Sequence, residues 1–441
     1  MRKPAREVIF ATTIDDLSHD GRGVARVEGK TVFVADALPG EQVRARLLHT
    51  HRNFDEAQAV DILRASPERV VPRCAHFGVC GGCVLQHMAP AAQIAAKQNV
   101  LAQNFQRIGH VQPARWLAPL TAATWGYRRR ARLSVKQVAK KGKTLVGFRE
   151  RDPRFVADLA HCDVLDPALG DHLDALGALL NDMQGAQAVP QIEFSAGDAA
   201  RVLVFRHLQP LPEGDLEKMA AFGRAHGFTI LLQPGGADSV HALAGEAPDL
   251  YYTLPAYGLR LAFAPLDFIQ VNASLNQKMI DHALGLLRPG PGDRVLDLFC
   301  GLGNFSLPIA RRAGRVCGVE GDTGLVARAR SNAVLNDIAN AEFCLGDLAG
   351  EVRGSAWARA EWDLVLLDPP RSGAEALLQQ LPGKTVRRVV YVSCHPASLA
   401  RDAGTLVNRH GFKLAAAGVM DMFPHTAHVE SIALFERRRQ G

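Results

Sequence analysis

Two strand-like runs near the end of the sequence lead into residues that can do covalent chemistry. Residues 363–367 run into Asp368-Pro369-Pro370-Arg371, and residues 388–392 run into Ser393-Cys394-His395-Pro396. Ligands of open α/β sheets bind at the carboxyl ends of the strands, so we expect Asp368 and Cys394 to face one crevice. A thiolate there is a nucleophile, and Glu430, just before a strand at 431–435, is the carboxylate best placed to act as a base.

A glycine loop upstream indicates that the crevice binds a nucleotide. The strand-like run 293–299 leads into Cys300-Gly301-Leu302-Gly303-Asn304-Phe305 and then into a helix at 306–312. A second strand at 315–319 ends in Glu320. Glycines in such a loop let the backbone approach a nucleotide closely, and an acid after the second strand can accept hydrogen bonds from both ribose hydroxyls.

Two residues favour S-adenosylmethionine over a dinucleotide as the ligand of this loop, and a third could contact its adenine. A dinucleotide fold favours a third glycine where this chain has Ser306. Asp297, in the first strand, suits a cationic ligand that has no phosphate. Asp347, after a strand at 342–345, could bond the adenine amine, or it could simply cap the helix that follows.

A thiol beside a methyl donor is useful when the methyl acceptor needs activation. Carbon 5 of uracil is a poor nucleophile, and addition of a thiolate at carbon 6 makes it enolate-like, so that it can attack the methyl sulfonium. A base must then remove the proton from carbon 5 before the thiol can leave. Cys394 must be partly thiolate near neutral pH, which a nearby histidine or cation would favour. Cys300, Cys317 and Cys344 lie in apolar contexts, and we expect them in the core.

The remaining cysteines predict a metal or cluster site. Cys74, Cys80 and Cys83 lie within ten residues, a spacing that indicates metal binding more than disulfides in a cytosolic protein. Cys162 is the remaining cysteine outside the α/β region, and we expect it to be the fourth ligand. Four thiolates fit zinc or a cubane iron–sulfur cluster, and the spacing alone does not choose between them, although zinc is the commoner. Methyl transfer needs no redox chemistry, so either metal would be structural.

The length of 441 residues predicts two or three domains, and the pattern along the chain suggests three. Residues 1–66 contain five short strands between turns, which is typical of a small OB-like β-barrel. Residues 67–262 mix strands and helices in an α+β domain whose topology the pattern does not order. Residues 263–441 alternate helices with apolar strands, the pattern of a Rossmann-like α/β domain.

The charge of the chain is concentrated in one stretch. Residues 128–154 contain eleven Lys or Arg against Glu150 and Asp152, a local charge of +9 that leaves −3 for the rest of the chain. Such a block predicts a surface that binds polyanions such as nucleic acid, although it could also be a solvated hairpin.

The chain has no targeting or membrane signature that we can identify. It lacks a run of eighteen apolar residues, and Arg6 and Glu7 interrupt any signal-peptide core after Met1. We therefore expect a cytoplasmic monomer without membrane contact, in which disulfides are rare.

Together these motifs resemble the RNA uracil-C5 methyltransferases, and among them the bacterial enzymes that act on 23S rRNA. Residues 7–62 resemble a TRAM domain, residues 74–83 the cluster loop, residues 297–304 the donor loop, and residues 421–430 the segment around the base. The resemblance implies 23S rRNA as partner, with uridine 1939 as the target. A TRAM domain together with four cysteines favours the rRNA enzymes over the tRNA enzyme.

The resemblance also implies a role for individual residues. Cys394 would be the nucleophile and Glu430 the general base. A [4Fe-4S] cluster would be held in the central domain by Cys74, Cys80, Cys83 and Cys162. The residues that would contact S-adenosylmethionine are Gln270, Phe299, Asn304, Glu320, Asp347 and Asp368.

The chain departs from the family pattern at a few positions. His395 stands where the family has Asn beside the nucleophile, Pro-Pro-Arg follows Asp368, and Asp347 stands where relatives carry Asn. None of these changes removes a reacting group, but His395 leaves open how the residue beside the thiol assists.

Other functions would fit parts of the pattern. Asp368-Pro369-Pro370 resembles the motif of amino-group methyltransferases, but Arg371 replaces the aromatic residue, and those enzymes need no cysteine. Uracil methylation at another 23S rRNA site or in tRNA is a closer alternative. An iron–sulfur RNA-binding module without catalysis would not need the glycine loop, Cys394 and Glu430.

Overall fold

The computed structural model describes residues 8–380 and 385–437, which form two compact units. Among these residues, unit 1 comprises 8–100, 149–157 and 423–428, and unit 2 comprises 101–148, 158–380, 385–422 and 429–437. The three domains expected at 1–66, 67–262 and 263–441 stay a prediction. Within the described ranges, no helix is long and apolar enough to span a membrane.

Unit 1 begins with a six-stranded, mainly antiparallel sheet. Its strands are β1 (Ile9–Thr13), β2 (Asp16–Leu17), β3 (Gly23–Val27), β4 (Lys30–Ala35), β5 (Gln42–Thr50) and β6 (Phe54–Arg64). Their order is β1-β5-β6-β4-β3-β2, with β4 and β6 parallel. The five predicted strands are confirmed, and β2 is an addition that is too short to show an alternating pattern.

The inward faces of these strands form the core of the sheet. Val43 and Ala45 of β5 are buried, while Gln42 and Arg44, which alternate with them, are exposed, as a strand with a side-chain period of two requires. Glu41 is also fully buried, and it accepts hydrogen bonds from Leu38 N (2.8 Å) and from Arg69 Nε (2.5 Å). This buried carboxylate ties the segment that leaves β6 back to the sheet.

Helix α1 (Pro90–Asn104) starts with a proline, which is favoured at the first helical position. It is predicted at 91–107, but it changes at Phe105 to a π-helical turn that ends at Gly109. A Cβ atom at Gly109 would lie 2.3 Å from the carbonyl oxygen of Ala400. The chain therefore packs backbone against backbone at this point, which accounts for the glycine.

Unit 2 contains a second six-stranded sheet, whose topology the sequence does not order. Its elements are β7 (Arg130–Val138), β8 (Lys143–Gly147), α2 (Pro167–Gly170), α3 (Leu173–Asp182), β9 (Gln191–Ala196), β10 (Arg201–Arg206), α4 (Glu213–His226), β11 (Thr229–Gln233) and β12 (His241–Ala242). The order is β12-β11-β10-β9-β7-β8, and within it β10 and β11 are parallel.

The basic stretch 128–154 does not form one continuous positive surface. Its part up to residue 148 belongs to unit 2, and residues 149–154 belong to unit 1. Within unit 2, Arg130 and Arg132 both pair with Glu193, and within unit 1 Arg151 pairs with Asp36. Acids from distant parts of the sequence thus neutralise part of the +9 charge.

The last part of unit 2 is a doubly wound α/β sheet. A hairpin of β13 (Tyr251–Leu254) and β14 (Leu259–Ala262) precedes it. Its strands are β15 (Arg294–Leu298), β16 (Arg315–Glu320), β17 (Ala341–Leu345), β18 (Leu364–Leu367), β19 (Arg388–Ser393), β20 (Phe412–Met420) and β21 (Glu430–Arg437). Its helices are α5 (Ala273–Leu287), α6 (Ser306–Ala310), α7 (Thr323–Leu335), α8 (Ala356–Arg359), α9 (Glu375–Leu378) and α10 (Pro396–Asn408).

The strand order β17-β16-β15-β18-β19-β21-β20 places five parallel strands side by side, with β21 antiparallel to β19. The central strands are buried on both faces, as their continuous apolar runs predict. The carboxyl ends of β15, β16, β18 and β19 therefore meet at one edge, where the loops with candidate residues begin.

Candidate active site

The glycine loop after β15 has a strained backbone. Phe299 has a φ of +64°, a left-handed conformation that costs a non-glycine residue about 1–2 kcal/mol. Its N–H donates to Val319 O (2.9 Å), so the first turn of the loop is tied to β16. Gly301 and Gly303 also have positive φ, at +55° and +97°. Strain of this kind persists where a ligand site requires the conformation.

Glu320 holds the loop in place. Its Oε2 accepts the N–H of Gly301 (2.9 Å), and its Oε1 accepts the N–H groups of Gly321 (2.7 Å) and Asp322 (3.1 Å). A carboxylate offers about four acceptor positions, so the remaining one lies on Oε2. The carboxylate is thus oriented beside the loop, at the position predicted for a ribose contact.

Asp297 is a buried acid of β15. It is fully excluded from solvent and accepts a hydrogen bond from the Ser306 hydroxyl. Burial, together with the charge of Glu320, raises the pKa of Asp297 to about 7. The hydrogen bond from Ser306 fastens α6 to β15, while Asp297 Oδ1 is buried without a hydrogen-bond partner among the described residues. The expected contact with a cationic ligand stays a prediction.

Asn304 is held by two residues that the sequence analysis missed, Tyr252 and Asn276. Its Oδ1 accepts from Tyr252 Oη (2.8 Å) and from Asn276 Nδ2 (3.0 Å), while its Nδ2 donates to Asn276 Oδ1 (2.9 Å). Both acceptor positions of Oδ1 are thereby used, and one N–H of the amide is left for a ligand. Asn304 can therefore act toward a ligand only as a donor.

Gln270 lies next to this amide network. Gln270, Tyr252 and Asn276 together line a small cavity of about 40 Å³. The only sequence signal for Asn276 is its position four residues after Asn272, the residue that caps α5. Tyr252 lies in the hairpin that precedes the α/β sheet, and nothing in its local sequence marks it.

Asp347 follows β17 and is exposed. Its Oδ1 accepts from the N–H of Ala349 (3.0 Å) in a turn. The next helix, α8, begins only at Ala356, so the alternative of a helix cap is wrong. The carboxylate remains accessible to a ligand.

The structure brings Cys394, Glu430 and Asp368 together, as their strand ends predict. The register of the antiparallel pair β19–β21 sets Ser393 opposite Ser431. Cys394 directly follows Ser393 and Glu430 directly precedes Ser431, so the two residues come next to each other across the pair. Asp368 follows the neighbouring strand β18, and its N–H donates to Leu298 O (3.3 Å). Burial and the charge of Glu430 raise the pKa of Asp368 well above its usual value.

The thiol of Cys394 is neutral in this environment. Burial, and then the charges of Glu430 and Asp368, raise its pKa to about 11, against the opposing effect of Arg371. We expected a histidine or a cation to make it partly thiolate near pH 7. Burial and the two carboxylates together outweigh the arginine, so the protein without its substrates holds a thiol.

His395 caps helix α10. Its Nδ1 accepts from the N–H of Ser398 (3.3 Å), and it lies 3.1 Å from the Ser398 hydroxyl. An N-cap needs a side-chain acceptor of this kind, a role that Asn also fills well. The substitution of His for the Asn of the family pattern therefore preserves the cap behind the nucleophile.

The loop that carries Arg371 is clamped to the same helix. The Ser398 hydroxyl donates to Arg371 O (2.9 Å), and the buried Asp402 accepts from Ala374 N (2.7 Å). Gly373, with a φ of +79°, lies so close that a Cβ atom there would be 2.6 Å from Asp402 Oδ2. These contacts hold the backbone of the loop that carries Arg371, whose charge opposes those of the carboxylates around Cys394.

The cysteine-rich loop lies in unit 1 and has a compact turn geometry. Cys80 N donates to His76 O (2.9 Å), and Gly82 N donates to Cys80 Sγ (3.4 Å). A Cβ atom at Gly81 would come within 3.1 Å of the carbonyl oxygens of Arg149 and Glu150, so the loop approaches that segment closely.

Cys74, Cys80 and Cys83 are in this loop, whereas Cys162 belongs to unit 2. Across the described ranges, no group of three or more His, Cys, Asp or Glu side chains is arranged to hold a metal ion.

The three other cysteines are in the α/β sheet or its loops. Cys300 and Cys317 are buried, as expected, but Cys344 is only half-buried, with its Sγ 3.9 Å from Cys317 Sγ. Cys344 lies on β17, the edge strand of the sheet, and its side chain is therefore only partly covered.

A doubly wound sheet with a strained glycine loop after its first strand and an oriented acid after its second is the arrangement of the α/β methyltransferases. The chain matches the tRNA (uracil-5-)-methyltransferase family over residues 262–438 and the TRAM domain over residues 11–60. The expected N-terminal TRAM domain and C-terminal methyltransferase fold are thereby confirmed, while the predicted domain bounds stay a prediction.

The 23S rRNA (uracil(1939)-C(5))-methyltransferase RlmD of Stenotrophomonas maltophilia strain K279a is 60% identical over 97% of this chain and 97% of its own. The protein of the same name from Xanthomonas oryzae pv. oryzae strain MAFF 311018 is 61% identical with the same coverage. This chain therefore belongs to the RlmD family of uracil-C5 methyltransferases.

A solved structure shares the fold. The tRNA (uracil-54, C5)-methyltransferase of Pyrococcus abyssi, in complex with S-adenosyl-L-homocysteine, matches 96% of this chain and 99% of its own with a TM-score of 0.73. The sequence identity is 22%, so this likeness concerns the fold alone.

Proposed function

We propose that this chain transfers the methyl group of S-adenosylmethionine to carbon 5 of uridine 1939 in 23S rRNA. The observation that carries the proposal is the 60% identity with RlmD over 97% of both chains. The site supports it, because the register of β19 and β21 sets the thiol of Cys394 beside the carboxylate of Glu430. An amino-group methyltransferase would have no use for this pair.

In the first step the Cys394 sulfur adds to carbon 6 of the uracil, and carbon 5 then attacks the methyl group of the donor. Since the pKa of the thiol is about 11 in the protein alone, about one thiol in ten thousand is ionised at pH 7. The donor carries a positive sulfonium, which would oppose the charges of Glu430 and Asp368. We infer that donor binding, together with Arg371, lowers the pKa of Cys394 enough for addition.

In the second step Glu430 takes the proton from carbon 5, and the sulfur of Cys394 leaves carbon 6 as the double bond re-forms. The products are 5-methyluridine, S-adenosylhomocysteine and one proton. Glu430 is buried at the start of β21, so its carboxylate is held by the strand rather than by a mobile loop.

The donor would be held by residues that share the edge of the α/β sheet and its glycine loop. We propose Gln270, Phe299, Asn304, Glu320, Asp347 and Asp368. Because Asn304 has only an N–H to offer, its partner must be an acceptor, and the carboxylate at the methionine end of the donor fits. Glu320 has an acceptor position left on Oε2, which fits a ribose hydroxyl.

Tyr252→Phe tests this assignment of Asn304. We expect the affinity for S-adenosylmethionine and for S-adenosylhomocysteine to fall by about fivefold each, since one hydrogen bond that orients the amide is worth about 1 kcal/mol. Calorimetric titration of both ligands would measure it, with Tyr251→Phe as the matched control. Unchanged affinities, at an unchanged unfolding temperature, would exclude Tyr252 as a positioning residue.

We further propose that Cys74, Cys80, Cys83 and Cys162 hold a [4Fe-4S] cluster. The four-thiolate donor set fits such a cluster, and the N–H of Gly82 directed at Cys80 Sγ is the kind of hydrogen bond that clusters accept at their ligands. The cluster would serve the structure, and no step of methyl transfer depends on it.

Iron analysis of protein purified without oxygen would test the cluster. We expect about four irons per chain and visible absorption, both absent in Cys83→Ser and kept in Cys344→Ser. One zinc and no iron in the unaltered protein would overturn the assignment.

The target itself can be mapped in rRNA from cells that lack this gene. We expect loss of 5-methyluridine at position 1939, restored by the unaltered gene and not by Cys394→Ala. Full methylation at 1939, with loss at another position, would show that the enzyme has a different target.

We also propose that the protein acts as a monomer in the cytoplasm, where its rRNA substrate is made.

A further inference from the structure

Unit 2 has a second cavity, of about 290 Å³, at the opposite end of β19 from the thiol. Its walls come from the end of α5, the segment before Trp116, and strands β19, β20 and β21. Arg388 of the cavity starts β19, and Ser393 ends it just before Cys394. At ~3.3 Å per residue the two ends of this strand are about 17 Å apart, so the cavity is separate from the candidate active site.

The cavity is strongly basic. Its charged lining residues are Arg115, Arg288, Arg388, Lys413 and Glu436. Glu436 forms ion pairs with two of these cations: its Oε1 lies 3.2 Å from Arg388 Nε, and its Oε2 lies 3.7 Å from Lys413 Nζ. Neither Arg115 nor Arg288 has a carboxylate partner among the residues that the structure describes. One acid among four cations leaves a net positive lining.

Arg288 has an unusual backbone conformation for an arginine. It caps the end of α5 with a φ of +52°, a conformation for which helices usually use glycine or asparagine. One arginine would be enough to complement the partial negative charge of a helix end. The other three cations of the cavity exceed that need.

The charge of Arg115 is felt by a neighbour on α5. His282 has a buried Nε2 without a hydrogen-bond partner, and burial followed by the charge of Arg115 lowers its pKa. A carboxylate beside Arg115 would offset this effect. The positive potential of the cavity is therefore not cancelled locally.

The exposure of the cations indicates the kind of ligand. Arg115, Arg288 and Lys413 are exposed, whereas a small-molecule pocket buries most of its ligand. Long exposed cations around an open cavity are typical of contacts to a nucleic-acid backbone. We propose that this cavity binds a backbone phosphate of the substrate RNA, as an anchor separate from the target base. The inference rests on the proposed RNA substrate.

The test compares two double variants of the full chain. Arg115→Gln/Arg288→Gln removes the two cations that lack acidic partners, and Arg224→Gln/Arg353→Gln removes the same charge from exposed positions elsewhere in unit 2. Binding of a 23S rRNA fragment that contains uridine 1939 is measured at several salt concentrations, along with its methylation at saturating RNA.

We expect the cavity variant to bind the fragment about tenfold more weakly at low salt. The slope of log affinity against log salt should fall by about 0.7–0.9 for each RNA phosphate that the variant no longer neutralises. Its turnover at saturating RNA should stay within about twofold of the unaltered protein. The control variant should change neither affinity nor slope.

Other outcomes would overturn the inference. An unchanged slope in the cavity variant, while the unaltered protein methylates the fragment, would show that RNA does not bind there. Inorganic phosphate is also titrated alone. If phosphate binds the unaltered protein but not the cavity variant, while the salt slope for RNA is the same in both, the cavity binds a free anion instead. If the unaltered protein fails to methylate the fragment, the proposed function fails, whatever the slopes show.

Discussion

Cys394→Ala is expected to lower the rate of methylation by roughly 10⁴-fold or more, because the variant lacks the nucleophile that adds to carbon 6 of uracil. Affinity for the RNA fragment and for S-adenosylmethionine should stay within about threefold of the unaltered protein. The side chain is small and half-buried, so its truncation should disturb the fold little. Single-turnover kinetics and equilibrium binding would measure both effects.

The matched control for this variant is Cys344→Ala. Cys344 is also half-buried, but it lies on the edge strand β17, away from the thiol and its carboxylates. It should retain turnover close to that of the unaltered protein. Substantial turnover by Cys394→Ala would exclude covalent catalysis by this residue.

Glu430→Gln is expected to trap the reaction after methyl transfer. The amide has nearly the same shape as the carboxylate but cannot take the proton from carbon 5, so the sulfur cannot leave carbon 6. Addition of the thiol should still occur, because loss of the Glu430 charge removes one cause of the raised pKa of Cys394. A covalent protein–RNA complex should therefore accumulate to a large fraction of the enzyme.

Denaturing electrophoresis with labelled RNA would detect this complex. Glu342→Gln removes an acid on β17 that pairs with Arg315, and it should give no accumulation beyond that of the unaltered protein. Release of methylated RNA by Glu430→Gln at the unaltered rate would show that another group removes the proton.

The sequence predicts the site well where function depends on the ends of neighbouring strands. Cys394, Asp368 and Glu320 each follow a buried apolar run, and parallel strands bring their carboxyl ends to one edge. The resemblance of these motifs to those of the uracil-C5 methyltransferases then identifies the family without knowledge of contacts between distant parts of the chain.

Other features depend on contacts that no local pattern encodes. Tyr252 reaches Asn304 across 52 residues of sequence, and Glu193 neutralises Arg130 and Arg132 from a neighbouring strand. The pKa of Cys394 is raised by burial of the thiol and then by the charges of Glu430 and Asp368, which together outweigh Arg371, and the sequence around the thiol does not show this balance.

The surroundings of Asp297 are another feature that its place in a motif does not show. The side chain is fully buried, one oxygen accepts a hydrogen bond from Ser306, and Oδ1 has no partner among the described residues. The expected contact of this acid with a cationic ligand stays a prediction.

Mass spectrometry of the complex with an RNA that contains 5-fluorouridine at position 1939 tests the covalent mechanism most directly. Fluorine replaces the proton that Glu430 would remove, so the methylated adduct cannot resolve. We predict a stable complex in the presence of S-adenosylmethionine, with the modified peptide bearing the nucleotide on Cys394. Methylation without an adduct, or an adduct on another residue, would contradict this account.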